Sequence, residues 1–159
     1  MRIFVFCCLF AFNAVANVDN FSLASEKSLF VVDGDSVSLQ FRLFGVDAPE
    51  INQLCRQHQS KLIDCGRLSK NHLKQLLKEL PGELFVEVMG IDQYQRVLVR
   101  IYKGGVDIGA LLVKQGMAFS YKDSYISQQN LAKSKKLGFW QFHTPPIQPY
   151  KWRKLNKSR

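Results

Sequence analysis

The sequence predicts a single α+β domain, and three observations carry that prediction. Its 159 residues are 47% apolar and 22% charged, which suits one buried core and argues against a disordered chain or a coiled coil. Strand-like apolar patterns occupy the stretch from Ser28 to Asp47 and the stretch from Leu84 to Tyr102. Between them the apolar spacing becomes helical and further short helices follow, so strands, a helix, strands and terminal helices succeed one another.

In the first strand region Leu29 to Val32 is a continuous apolar run, and Val37, Leu39, Phe41 and Leu43 alternate with Ser38, Gln40 and Arg42. Asp33-Gly34 is a turn signal, and two or three strands fit the stretch. From Arg67 to Leu80 the residues Leu68, His72, Leu73, Leu76, Leu77 and Leu80 recur at helical spacing, and Pro81-Gly82 ends the helix. Leu84 to Met89 and Val97 to Tyr102 read as two strands joined through Gly90 to Arg96. Ile108 to Lys114 reads as a short helix closed by Gly116, and Ile126 to Leu137 as a last one closed by Gly138. Beyond Phe139, Pro145, Pro146 and Pro149 break regular structure.

The chain carries 22 Lys and Arg against 13 Asp and Glu, a net charge of +9, which suits a polyanionic partner such as nucleic acid or an acidic membrane surface. Its first residues combine Arg2, an apolar run from Ile3 to Phe12 and small residues at Ala14 and Ala16. That is the pattern of a signal peptide cut after Ala16, and the run is shorter than the ~20 apolar residues that span a bilayer. A secreted or periplasmic protein without stable membrane association is therefore expected. Cys7 and Cys8 leave with the leader, and Cys55 and Cys65 remain as an even pair for a disulfide. So short a loop implies under ~3 kcal/mol by chain entropy. A zinc site on Cys55, His58 and Cys65 lacks a fourth ligand at finger spacing. The tail after residue 142 is basic, with no acid beyond Asp123, and offers Tyr150 and Trp152 for stacking on a nucleic acid; a merely solvated tail reads equally well.

Candidate chemistry lies in a few charged residues. Hydrolysis of a phosphodiester requires cations around a phosphorus screened by negative oxygens, and a positioned water. Asp35 and Asp47 can offer oxygen ligands to a hard metal such as Ca²⁺. Glu50, three residues past Asp47 across Pro49, can orient the attacking water or take its proton. Arg42 and Arg96 can each hold phosphate oxygens with a planar fork. Taken singly, each has an ordinary structural reading: Asp35 shapes a turn, Asp47 and Glu50 are surface carboxylates, and Arg96 pairs with Asp92.

Their joint order is more telling. DGDS, RLFGVDAPE, DQYQR, DIGALLVKQGMA and KSKKLGFW together resemble the staphylococcal (micrococcal) nuclease, or thermonuclease, family from about Leu29 to Trp140. The resemblance implies a five-stranded OB-fold β-barrel with about three α-helices over residues 28–142, following a polar segment at 17–27. It implies Ca²⁺ held by Asp35, Asp47 and the main-chain carbonyl of Ala48, with Glu50 beside the water and Arg42 and Arg96 on the phosphate. Tyr94 and Tyr121 match family tyrosines that flank the nucleotide. The implied protein is a calcium-dependent endonuclease acting on DNA or RNA and leaving 3′-phosphate ends, and a monomer is expected.

Three departures bear on that reading. Ala48 stands where the type enzyme has Thr, which matters little if only the carbonyl binds metal. Gln93 stands where that enzyme has Lys, so one phosphate contact is lost. Asp35 and Arg42 are also closer in sequence than in the type enzyme. On one extended strand they would lie roughly 23 Å apart, so a tight turn is expected between them; a two-residue turn at Ser38-Leu39 would put Asp35 directly opposite Arg42, yet neither residue is a favoured former of such a turn. The rival reading is an OB-type module that binds single strands without cutting them, although a binder needs no acids beside the phosphate.

Overall fold

The computed structural model describes residues 29–156, so the expected leader and the whole polar segment at 17–27 lie outside the described residues. The described part opens on a hairpin of β1 (Leu29–Val31) and β2 (Val37–Leu39), paired antiparallel with Phe30 opposite Ser38. Its turn falls at the Asp-Gly signal: Val32 N–H donates to the Ser36 carbonyl at 2.9 Å, and the Asp33 carboxylate accepts from Asp35 N–H at 3.3 Å. The turn expected at Ser38-Leu39 is absent, because both residues belong to β2. Only Gln40 separates β2 from β3 (Phe41–Leu43), so Asp35 is not opposite Arg42. Ser-Leu lacks the Asn, Asp or Gly that two-residue hairpin turns favour, and the turn forms instead at the Asp33-Gly34 signal, five residues earlier.

Strand β3 runs parallel to β8 (Val97–Lys103), which pairs antiparallel with β7 (Leu84–Ile91) and β9 (Val106–Asp107). A Phe44-Gly45 turn, with Gly45 at φ +71°, leads to β4 (Val46–Asp47), which pairs with β10 (Phe119–Ser120). A second hairpin, β5 (Leu54–His58) and β6 (Lys61–Asp64), stands separately. Among the described residues these ladders do not join into a closed barrel.

Helix α1 (Cys65–Glu79) starts two residues before the predicted Arg67, because Asp64 caps it by accepting the Arg67 N–H at 2.8 Å. Helix α2 (Ile108–Lys114) has the predicted bounds; Asp107 caps it through the Ala110 N–H at 3.0 Å. Helix α3 (Ile126–Ser134) stops three residues short of Leu137. A fourth helix, α4 (Pro149–Asn156), occupies the basic tail that the prolines were expected to keep irregular. Pro149 is its first residue, where a ring without an N–H costs nothing.

The core joins Val46 of β4, Leu76 of α1 and Ile108, Leu112 and Val113 of α2, with Leu73 and Leu77 packed against them. A second cluster surrounds the Cys55–Cys65 disulfide, whose Cα atoms are 5.9 Å apart, and adds Phe139 and Phe142. That cross-link ties β5 to the first residue of α1, and Gly66 comes next. A Cβ on Gly66 would lie 1.8 Å from the Glu50 carbonyl oxygen and 2.6 Å from the Ile51 Cα, so only glycine lets α1 press on this backbone. Gly66→Ala is expected to lower stability by about 1–3 kcal/mol, read as a lower urea midpoint at unchanged slope.

Candidate active site

The elements converge on an open cleft of about 370 Å³ whose lining includes Arg42, Asp47, Ala48, Glu50, Arg96 and Arg153. Arg42 comes from β3 and Asp47 from β4, so the Phe44-Gly45 turn folds them together: an Arg42 guanidinium nitrogen lies 3.5 Å from both the Asp47 carboxylate and the Val46 carbonyl. Val46 is packed in the core, and Asp47 is only 4% exposed. A carboxylate so enclosed requires cationic partners.

Ala48 and Pro49 then lead to Glu50, whose backbone is held on two sides. Gly66 admits α1 against it, and the buried Gln53 side chain accepts the Glu50 N–H at 3.2 Å. The Gln53 amide also donates to the Ile147 carbonyl at 2.7 Å, while the Gln53 backbone carbonyl accepts Cys65 N–H at 2.9 Å. Gln53 therefore couples the Glu50 turn, the start of α1 and the C-terminal segment. Nothing local marks a glutamine for that task.

Arg96 reaches the cleft from the β7–β8 turn. The parallel register sets Phe41 beside Val97, which places Arg96 two positions from the level of Arg42 and on the same side of the sheet. Its guanidinium grips Asp92 at 2.6 and 2.8 Å, and its own N–H donates to that carboxylate at 3.0 Å. Burial disfavours the charged form of Asp92, but the bonds from Arg96 and the Tyr94 N–H outweigh it and hold the carboxyl below its ordinary range. The structural pairing and the cleft position thus hold together: Asp92 orients Arg96 rather than removing it.

Tyr94 is exposed beside this group, with the Arg96 guanidinium carbon 5.3 Å from its ring centre. Tyr121 is also exposed and lines a smaller neighbouring hollow with Asp47 and Tyr150. Asp35 does not line the cleft; it lies in the β1–β2 turn, its carboxylate accepting the Ser36 hydroxyl at 3.1 Å. The donors in the cleft, carboxylates and a backbone carbonyl, fit a hard divalent cation in kind. Among the described residues no third His, Cys, Asp or Glu joins them in a metal-ligating cluster.

Arg153 of α4 is the unanticipated member. Its guanidinium lies 3.2 and 3.3 Å from Asp47 and 2.6 Å from Glu50. Within a run of basic residues it carries no distinguishing signal, and its partners lie more than a hundred positions away.

Comparison with known proteins shows the family. The family model described as staphylococcal nuclease homologue matches residues 40–142. An "Uncharacterized endonuclease" of Haemophilus influenzae is 32% identical over 140 residues, covering 80% of this chain and 71% of that protein. The "Succinoglycan biosynthesis protein ExoI" of Rhizobium meliloti is 30% identical, covering 69% of this chain and 61% of that protein. "Probable endonuclease LCL3" of Komagataella phaffii is 28% identical, covering 65% of this chain and 49% of that protein. With the matched segment spanning the cleft from Arg42 through Glu50 to Arg96, the chain belongs to the staphylococcal nuclease homologue family.

Proposed function

We propose that this protein is a secreted or periplasmic, calcium-dependent phosphodiesterase that cuts DNA or RNA endonucleolytically and leaves 3′-phosphate ends. The observation that carries the reading is the convergence of Arg42, Asp47, Glu50 and Arg96 on one cleft from separate parts of the chain. In it, Arg42 and Arg96 donate to equatorial phosphate oxygens as charge builds on them. Glu50 takes the proton of the attacking water, and Tyr94 and Tyr121 flank the nucleotide. Asp47 and the Ala48 carbonyl would hold calcium, which would supply positive charge to the phosphate. A five-stranded OB-type barrel with Asp35 as a further calcium ligand would require the β1–β2 hairpin, which forms a sheet of its own among the described residues, to close onto β3, β7 and β8.

The protein acts as a monomer free of the membrane after its leader is removed. Among the described residues no helix is long and apolar enough to cross a bilayer. A noncatalytic single-strand binder would use the same basic, aromatic surface, but the acids placed among the arginines favour cleavage. Purified mature protein is expected to cut single-stranded DNA, duplex DNA or RNA in calcium and to stop in excess chelator. Binding to all three without a cut in any would make it the binder; full activity in chelator would remove the metal.

A further inference from the structure

The Arg153 contact goes beyond what the nuclease reading requires, and its meaning rests on that reading. Both guanidinium amino groups face the Asp47 carboxylate, at 3.2 and 3.3 Å from one oxygen and 3.3 Å from the other, while one also reaches Glu50 at 2.6 Å. Arg42 stands farther from Asp47, at 3.5 Å. The near counterion of the buried Asp47 is therefore supplied by the tail. A divalent cation on Asp47 needs the same oxygens, and the two cations repel each other.

The tail is built to let go. Up to Gln148 it is anchored: Thr144 N–H donates to the Arg56 carbonyl at 3.1 Å, His143 N–H to the Gln57 carbonyl at 3.1 Å, and the Gln53 amide to Ile147. Beyond that point, α4 has eight residues, and Pro149 is the one buried side chain in it. So short a helix has little stability of its own. We propose that α4 is an autoinhibitory latch: Arg153 and calcium are alternative cations of Asp47, and calcium opens the cleft and frees Glu50 by displacing the helix. Once released, α4 offers Lys151, Arg153 and Lys154 to phosphates and Tyr150 to bases, so nucleic acid favours the same open state.

The test is calcium titration calorimetry on the full chain without nucleic acid, comparing wild type, Arg153→Ala and Lys154→Ala. Amide hydrogen exchange of residues 149–156 is measured in parallel on wild type with and without calcium. Arg153→Ala should bind calcium about tenfold more tightly, because it removes a competing ligand. Lys154→Ala removes the same charge from the same helix without touching the acids and should change affinity less than about threefold. In wild type, saturating calcium should speed exchange in α4, a result that does not depend on any variant folding. Equal calcium affinity in Arg153→Ala and Lys154→Ala, or α4 protection unchanged by calcium, overturns the latch. If calcium-dependent cleavage persists alongside that result, the nuclease reading stands; if neither wild type nor Arg153→Ala binds calcium and nothing is cut, both fall.

Discussion

Replacing Arg42 with Ala should lower turnover by at least ~10²-fold while changing nucleotide affinity far less, in line with the loss of one preorganised donor to a developing oxyanion. Arg42 lies in β3, just before the turn into β4, and its guanidinium faces both Asp47 and the cleft. Its positive charge meets the phosphate most strongly when the equatorial oxygens carry the transition-state charge. Arg96→Ala should have an effect of the same order, since Asp92 holds that fork in place. Lys at either position should restore little, because an ammonium supplies charge without two parallel donors. Single-turnover rates and binding of a nonhydrolysable nucleotide, after the folds are confirmed, separate the two effects. Near-normal turnover in Arg42→Ala would remove Arg42 from the chemistry.

Changing the carboxylates should divide catalysis from metal binding. Glu50→Gln keeps size and polarity but loses the basic oxygen, so turnover should fall by about 10²–10⁴-fold with the fold intact. The Glu50 backbone is held by Gln53 and by the approach of Gly66, neither of which depends on its side-chain charge. Asp47→Ala should instead weaken calcium binding, and raising calcium should partly restore activity. Measuring turnover against calcium concentration for both variants distinguishes them. A calcium-rescuable Glu50→Gln, or an Asp47→Ala variant with unchanged calcium affinity, would exchange or cancel these roles.

Features set by neighbours in the chain were legible in the sequence. The α2 bounds were readable because its apolar spacing and its stop at Gly116 are local signals. The Asp33-Gly34 turn is local in the same sense, and it, rather than the stretch after it, closes the first hairpin. The residues of the cleft were named from short ordered motifs, and Arg42, Asp47, Ala48, Glu50 and Arg96 do line one cavity.

What required tertiary structure was everything settled by long-range pairing. Whether Asp35 joins the cleft depends on which strands β1 and β2 meet, and alternating apolar residues specify a face but not a partner. The tail's helix follows Pro145 and Pro146 and starts on Pro149, three residues that each read as a break, yet Pro149 fits in its first turn. Arg153 looks like any surface arginine in a basic run, and it gains its role through carboxylates 103 and 106 positions away. Sequence by itself determined which residue types were available for phosphate chemistry, since that depends on side-chain charge and short spacing. Only the tertiary structure decided which cation stands on Asp47, because that choice is made by the packing of the far end of the chain against the turn between Val46 and Glu50.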